Sequence, residues 1–131
     1  MATTVTVVVL LAAAAVVLLA TRTTGDPAPV LLPSGLRSVV PSEGAQSPRQ
    51  GPIGVNVGPG WEVSLTVNDV AIPDDQLTTG TRQLGEYLFT PRPGNAVPDI
   101  QPGRNCAAMR GVNVVDEDVD PISFSWCWTA F

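Results

Sequence analysis

Residues 61–68 read WEVSLTVN, and this stretch decides the fold. Apolar side chains stand at every second position, which are Trp61, Val63, Leu65 and Val67. A period of two gives a β-strand one buried face and one wet face. The alternation then changes parity, because Val70 and Ile72 fall on the other phase. Either a β-bulge or a turn at Asn68 and Asp69 would explain that change.

The last third of the chain has the same period of two. It predicts strands at 105–115 and 122–131, and 81–90 is a further candidate although Gly85 weakens it. Short strands separated by turns predict an all-β fold of about five to seven strands, arranged as a small antiparallel β-sandwich. The plan resembles an immunoglobulin domain in architecture only. Cys106 and Cys127 lie much closer in sequence than the immunoglobulin inter-sheet pair.

The two cysteines, Cys106 and Cys127, are predicted to form a disulfide. A small domain behind an apolar N-terminal segment suits an oxidising compartment, and closing a loop of about 22 residues contributes roughly 3 kcal/mol in the chain-entropy model. If the two cysteines face each other in an antiparallel pair, Arg110 faces Ser123 on the wet side. A register shifted by three residues instead sets Arg110 against Trp126 and turns the cysteines to opposite faces. Both registers stay open, as does a bond between strands that are not neighbours.

Residues 1–21 carry no charged side chain and consist mostly of Val, Leu and Ala. At about 1.5 Å per residue, a helix of this length spans roughly 30 Å, the thickness of a bilayer's hydrocarbon core. The stretch is therefore predicted to be one N-terminal transmembrane helix that anchors the chain. A cleaved signal peptide is the alternative. The lack of a basic residue before Arg22 and the length of the apolar core disfavour it.

Two signals disagree about the orientation of this anchor. Arg22, Arg37 and Arg49 follow the apolar stretch, so the positive-inside rule favours a cytoplasmic C-terminal part. The cysteine pair favours the opposite side, where disulfides persist. We give the cysteines the greater weight. We expect a single-pass protein of the cell membrane whose C-terminal domain is extracytoplasmic.

Residues 22–52 are predicted to be a Pro/Gly-rich linker between the anchor and a β-domain at 53–131. Their many prolines and glycines remove backbone donors and add turn freedom, which no continuous helix tolerates. The linker contains an apolar segment, at 30–40. That segment is either a docking segment for a partner or the membrane surface, or an irregular strand packed on the domain.

Composition argues against several classes of function. The net charge is −5 and the basic residues are arginines scattered singly, so no basic stripe exists for nucleic acid. Histidine and lysine are absent, as are the zinc spacings of Cys and His. A carboxylate pair needs a cleft that a domain of about 79 residues can hardly build. We expect no enzymatic activity and no cofactor.

The Pro- and Gly-rich loop after Thr90, of about a dozen residues, is the first candidate for a contact site, since long loops in compact domains are often binding surfaces. A passive connection is the alternative. The candidate binding residues are the polar side chains of the loop and the one that follows it: Arg92, Asn95, Asp99 and Arg104.

Asp116, Asp118 and Asp120 have the spacing of the first three ligands in a calcium loop. Pro121 stands where such a loop needs glycine, and Cys127 stands where it needs glutamate. A solvated acidic turn is the preferred interpretation, and weak calcium binding is the alternative. No metal site is expected.

Taken together, these features predict a membrane-anchored accessory protein whose β-domain binds another protein of the envelope, as a subunit of a membrane complex. The alternative is a tethered or secreted module that binds a small ligand or a cell-envelope polymer. Trp61, Trp126 and Trp128 suit either function, because tryptophan anchors protein interfaces and sugars, but their first interpretation is as core residues.

Overall fold

The computed structural model describes residues 30–78 and 84–131, and the predicted anchor at 1–21 lies outside them. Residues Leu31–Phe131 form one compact unit. Within the described residues the strands are β1 (Ser38–Val40), β2 (Gln46–Ser47), β3 (Ile53–Asn56), β4 (Trp61–Val67), β5 (Val70–Ala71), β6 (Glu86–Phe89), β7 (Gly103–Asn113) and β8 (Ile122–Ala130). A 3₁₀ turn at Asp74–Gln76 precedes β6. Within the described residues, the structure contains no helix with the length and apolar character that a membrane span requires.

The strands form two sheets, which confirms the all-β class. One sheet has the order β1-β3-β6 and the other the order β2-β8-β7-β4-β5. All named pairs are antiparallel except β2 with β8. This parallel pair differs from the purely antiparallel prediction. It arises because the chain leaves β1 in the first sheet and continues into β2 in the second, beside a strand of the same direction.

The two sheets share one hydrophobic core. In β4 the side chains of Val63, Leu65 and Val67 are buried while their neighbours are not, so the period of two is confirmed. Trp126 is 1 % exposed at the centre of β8. An aromatic side chain of this size buries about 150–250 Å², which corresponds to roughly 4–6 kcal/mol of transfer free energy.

The β7–β8 pair has the register in which Cys106 faces Cys127 and Arg110 faces Ser123. The two cysteines form a disulfide, as predicted. The rival register is wrong. It would set the Arg110 guanidinium, which is exposed here, against the buried Trp126, and burying an unpaired charge costs several kcal/mol.

Part of the stretch predicted as a linker belongs to the compact unit, because β1 and β2 lie between residues 22 and 52. Leu36 and Val39 are buried in the core. For Ser38–Val40 the interpretation as a strand packed on the domain is therefore confirmed. The unit begins at Leu31 rather than at residue 53. Its two short strands fit between prolines because each lies at the edge of a sheet, where missing backbone donors cost little.

The parity change after β4 is a turn and not a bulge. Asn68 and Asp69 have φ values of 47° and 66°, and β5 pairs back on β4 directly after them. Two consecutive positive φ values define the type I′ hairpin turn, which Asn and Asp tolerate.

The compact unit has two ends. One end is formed by residues 31–35 together with the β3–β4 turn and the β7–β8 hairpin. These segments lie close together, since a methyl group on Gly35 would come within 3 Å of both Ile122 and Trp61. We call it the proximal end. At the other, the loop 91–102 meets the segment after β2, where Arg49 Nε donates to the Ile100 carbonyl at 2.6 Å. We call it the distal end.

Candidate functional site

The loop 91–102 joins β6 to β7 across the distal end and is packed onto the domain. Val97 and Ile100 are buried, Ile100 with 1 % of its surface exposed. These two side chains belong to the hydrophobic core and hold the loop against the domain, as buried side chains hold a strand. Arg92 and Asp99 are exposed, and Asn95 is half-buried.

Hydrogen bonds from three directions hold the same loop. The Asn95 Nδ2 amide donates to the Thr90 carbonyl at 3.0 Å, and the Ala96 backbone N–H donates to Gln76 Oε1 at 2.8 Å. The Arg49 bond to Ile100 adds the third. A partner that binds here meets a surface whose ordering entropy has already been lost in folding, which favours affinity.

Two grooves flank Arg92. One, of about 430 Å³, is lined by Asp75, Gln76, Leu77, Thr78, Thr90, Arg92 and Asn95. The other, of about 470 Å³, is lined by Arg49, Gln50, Pro91, Arg92, Pro93, Pro98 and Asp99. Three of the four predicted binding residues, Arg92, Asn95 and Asp99, are thus brought to one surface. We call the residues that line the two grooves the distal loop surface.

The arginines on this surface differ in whether their guanidinium groups already have a partner within the domain. Arg49 Nη2 lies 3.9 Å from Asp99 Oδ1, an exposed pair worth about 0–1 kcal/mol. The Arg92 backbone carbonyl accepts the Asn95 N–H at 3.1 Å, but its side chain has neither a hydrogen bond nor an ion pair within the described residues. Its guanidinium is therefore available to a carboxylate or another acceptor on a partner.

Arg104 is not part of this surface. It lies on the outer face of the larger sheet, where its Nη2 group is 3.4 Å from the Cys127 sulfur. The groove beside it holds about 350 Å³ and also contains Thr66, Asn68, Asp69 and Ser125. The four residues predicted from sequence therefore divide into a group of three and a single arginine.

The calcium candidates Asp116, Asp118 and Asp120 lie exposed in the hairpin between β7 and β8. One oxygen of Asp116 accepts the Asp118 backbone N–H at 3.0 Å, which closes a local turn. Among the described residues no group of three or more His, Cys, Asp or Glu side chains is placed to hold a metal ion.

A groove of about 520 Å³ along β4 was not predicted from the sequence. Its lining includes Glu62, Asp74 and Arg110. On its inner side the Tyr87 hydroxyl donates to the Trp61 carbonyl at 2.6 Å. The groove exists because β5 has only two residues and pairs with Thr66 and Val67 alone. The possible turn at Asn68 and Asp69 was the feature of the sequence that could have indicated such a short partner strand.

No protein-family model matches this chain, and a comparison with curated proteins found no similar sequence.

Proposed function

We propose that this chain is a membrane-anchored accessory protein, without enzymatic activity, whose β-domain binds another envelope protein through the distal loop surface. Residues 1–21 anchor it in the cell membrane in a single pass, and the domain is extracytoplasmic. The disulfide supports this location, because such bonds persist in oxidising compartments. The apolar composition of residues 1–21 supports the anchor.

The strand order supports an immunoglobulin-like sandwich as the scaffold of this function. The order β1-β3-β6 corresponds to immunoglobulin strands A, B and E, and β8-β7-β4 corresponds to G, F and C. The disulfide departs from that family, because it joins neighbouring strands of one sheet rather than the two sheets. The architectural resemblance concerns the arrangement of strands and no activity.

The observation that carries the proposal is an unpaired Arg92 between two grooves on a fixed loop at the distal end. Arginine is enriched at the energetic centres of protein interfaces, and exposed loops on rigid scaffolds commonly form such interfaces.

Co-purification of the full chain in mild detergent tests the proposal. We expect a stoichiometric membrane protein partner that Arg92→Glu releases, because the substitution turns an attraction into a repulsion. Arg110→Glu is the matched control, since it makes the same charge change on an exposed arginine of the outer sheet face. A partner that both variants retain would contradict the assignment of the surface.

The same preparation discriminates the alternative function. If the chain purifies as a monomer and its melting temperature rises with glycans or envelope polymer, the module binds a polymer rather than a protein. Arg92→Glu should then leave the co-purification profile unchanged and alter only the glycan-dependent shift.

A further inference from the structure

The proximal end exposes apolar side chains that the core leaves uncovered. Val115 is 80 % exposed and Val114 56 % in the β7–β8 hairpin, and Leu31 is 90 % exposed where the unit begins. The hairpin valines are held outward: the Val114 N–H donates to the Gly60 carbonyl at 2.9 Å, and the Val115 N–H donates to Asn113 Oδ1 at 3.0 Å. Their exposure is therefore set by the fold of the hairpin.

The length of chain before Leu31 limits how far this end can lie from an anchored segment. Residues 22–30 are nine residues. Even fully extended, they reach at most about 30 Å at roughly 3.3–3.6 Å each. A tether of this length keeps the proximal end at a high effective concentration, of the order of millimolar, at the surface that holds the anchor. At this effective concentration, the domain forms apolar contacts with the surface that would be too weak to hold a free domain there.

Charge restricts the kind of surface. The hairpin carries Asp116, Glu117, Asp118 and Asp120 and no basic residue. Arg37, whose guanidinium lies against Gly58 in the β3–β4 turn, offsets one of these four negative charges at this end. Each acidic group near an anionic bilayer opposes contact by about 1 kcal/mol, the counterpart of the attraction that a basic residue gains there. A bilayer of zwitterionic lipid imposes no such cost.

We infer that the proximal end rests on the lipid surface, with the hairpin residues Val114 and Val115 in contact with zwitterionic lipid. The inference depends on the membrane anchor of the proposed function but not on the distal loop surface. It assigns the two ends different occupants: lipid at the proximal end and the partner protein at the distal end.

Fluorescence of the full chain in phosphatidylcholine vesicles tests this inference. Val115→Trp adds a reporter at the hairpin, and Gln101→Trp adds a matched reporter at the distal end, with the 11 residues of β7 between them. Those residues span about 35 Å at roughly 3.3 Å each. With bromine atoms on the upper acyl chain, we expect the emission of the hairpin reporter to be lost and that of the distal reporter to persist. Emission of the unsubstituted chain in the same vesicles is subtracted, so that the native tryptophans cancel.

Lipid charge supplies the second measurement. Added phosphatidylglycerol should reduce the quenching of the hairpin reporter, and Asp116→Asn with Asp118→Asn should restore it. Val114→Trp repeats the measurement if the first variant melts below the parent chain.

The possible outcomes distinguish a failure of the membrane anchor from a failure of the proposed lipid contact. A chain that does not float with the vesicles overturns both the anchor and this inference. A chain that floats but shows equal quenching at the two ends overturns the inference alone. A blue-shifted emission from the hairpin reporter that bromine does not quench would show that a protein, such as a second copy of the chain, covers the hairpin, and that result also overturns it.

Discussion

At the scale of the residue, Asn105 is the one buried polar residue among those the structure describes, and its side chain makes three hydrogen bonds. Its Nδ2 donates to the Gln101 and Gly103 carbonyls at 2.9 and 3.0 Å, and its Oδ1 accepts from Asn68 Nδ2 at 2.9 Å. Asn68 in turn accepts the Cys106 N–H through its Oδ1. The amide of Asn105 thus joins the end of the distal loop to the β4–β5 turn.

Asn105→Ala is expected to lower the free energy of unfolding by about 2–4 kcal/mol, because it leaves two backbone carbonyls and an amide without their partner and opens a small cavity. Asn113→Ala is the control. It removes two hydrogen bonds that water can replace, and should cost about 1 kcal/mol or less. Urea denaturation with an unchanged m-value measures both losses. Equal costs for the two variants would mean that the buried network adds nothing beyond an exposed cap.

At the scale of the element, the β7–β8 hairpin shows how much of the structure could be predicted. The facing of Cys106 and Cys127 was available from the sequence, since it puts Arg110 in water and small residues such as Ala107 against Trp126. The sequence alone could not decide between the two registers, because the shifted pairing also matches apolar residues. The disulfide and the cost of burying Arg110 decide it, and both act between strands rather than within one.

Short strands were harder to predict than long ones. β1 and β2 have three and two residues, too few for a period to be recognised, and prolines surround them. Their place is set by pairing with β3 and β8, which no local pattern encodes. The distal loop was recognised from its prolines and glycines. That Arg104 does not belong to the distal loop surface could not be predicted, because it depends on which face of β7 this arginine occupies.

The disulfide gives the prediction at this scale. Cys106→Ser with Cys127→Ser should lower the free energy of unfolding by roughly 3 kcal/mol, because the closed loop of about 22 residues no longer restricts the unfolded chain. Ala108→Ser is the control, since it adds one hydroxyl on the same face of β7, opposite Ser125. Thermal or urea unfolding of both proteins measures the difference. A double variant as stable as the control would contradict the entropic account.

At the scale of the whole molecule, the extent of the compact unit decides what the N-terminal segment can do. If the unit began at residue 53, a linker of 31 residues could carry the domain far from the membrane. Because the unit begins at Leu31, only residues 22–30 separate it from the predicted anchor. The short separation links the fold to the proposed contact of the proximal end with lipid.

Limited trypsin digestion measures that extent directly. The Arg37 backbone N–H donates to the Asn56 carbonyl at 2.8 Å beside β1, and Arg49 is held by its bond to Ile100. Cleavage after either arginine requires the chain to leave its sheet edge or the distal loop. We expect both bonds to be cut at least about 10³-fold more slowly in the folded protein than in the same protein in urea, if opening of these segments is coupled to global unfolding. The digest in urea is the control for intrinsic susceptibility. Rapid native cleavage after Arg37 and Arg49 would show that residues 31–52 behave as the linker that the prolines predicted, and would separate the domain from the membrane by the full length of that segment.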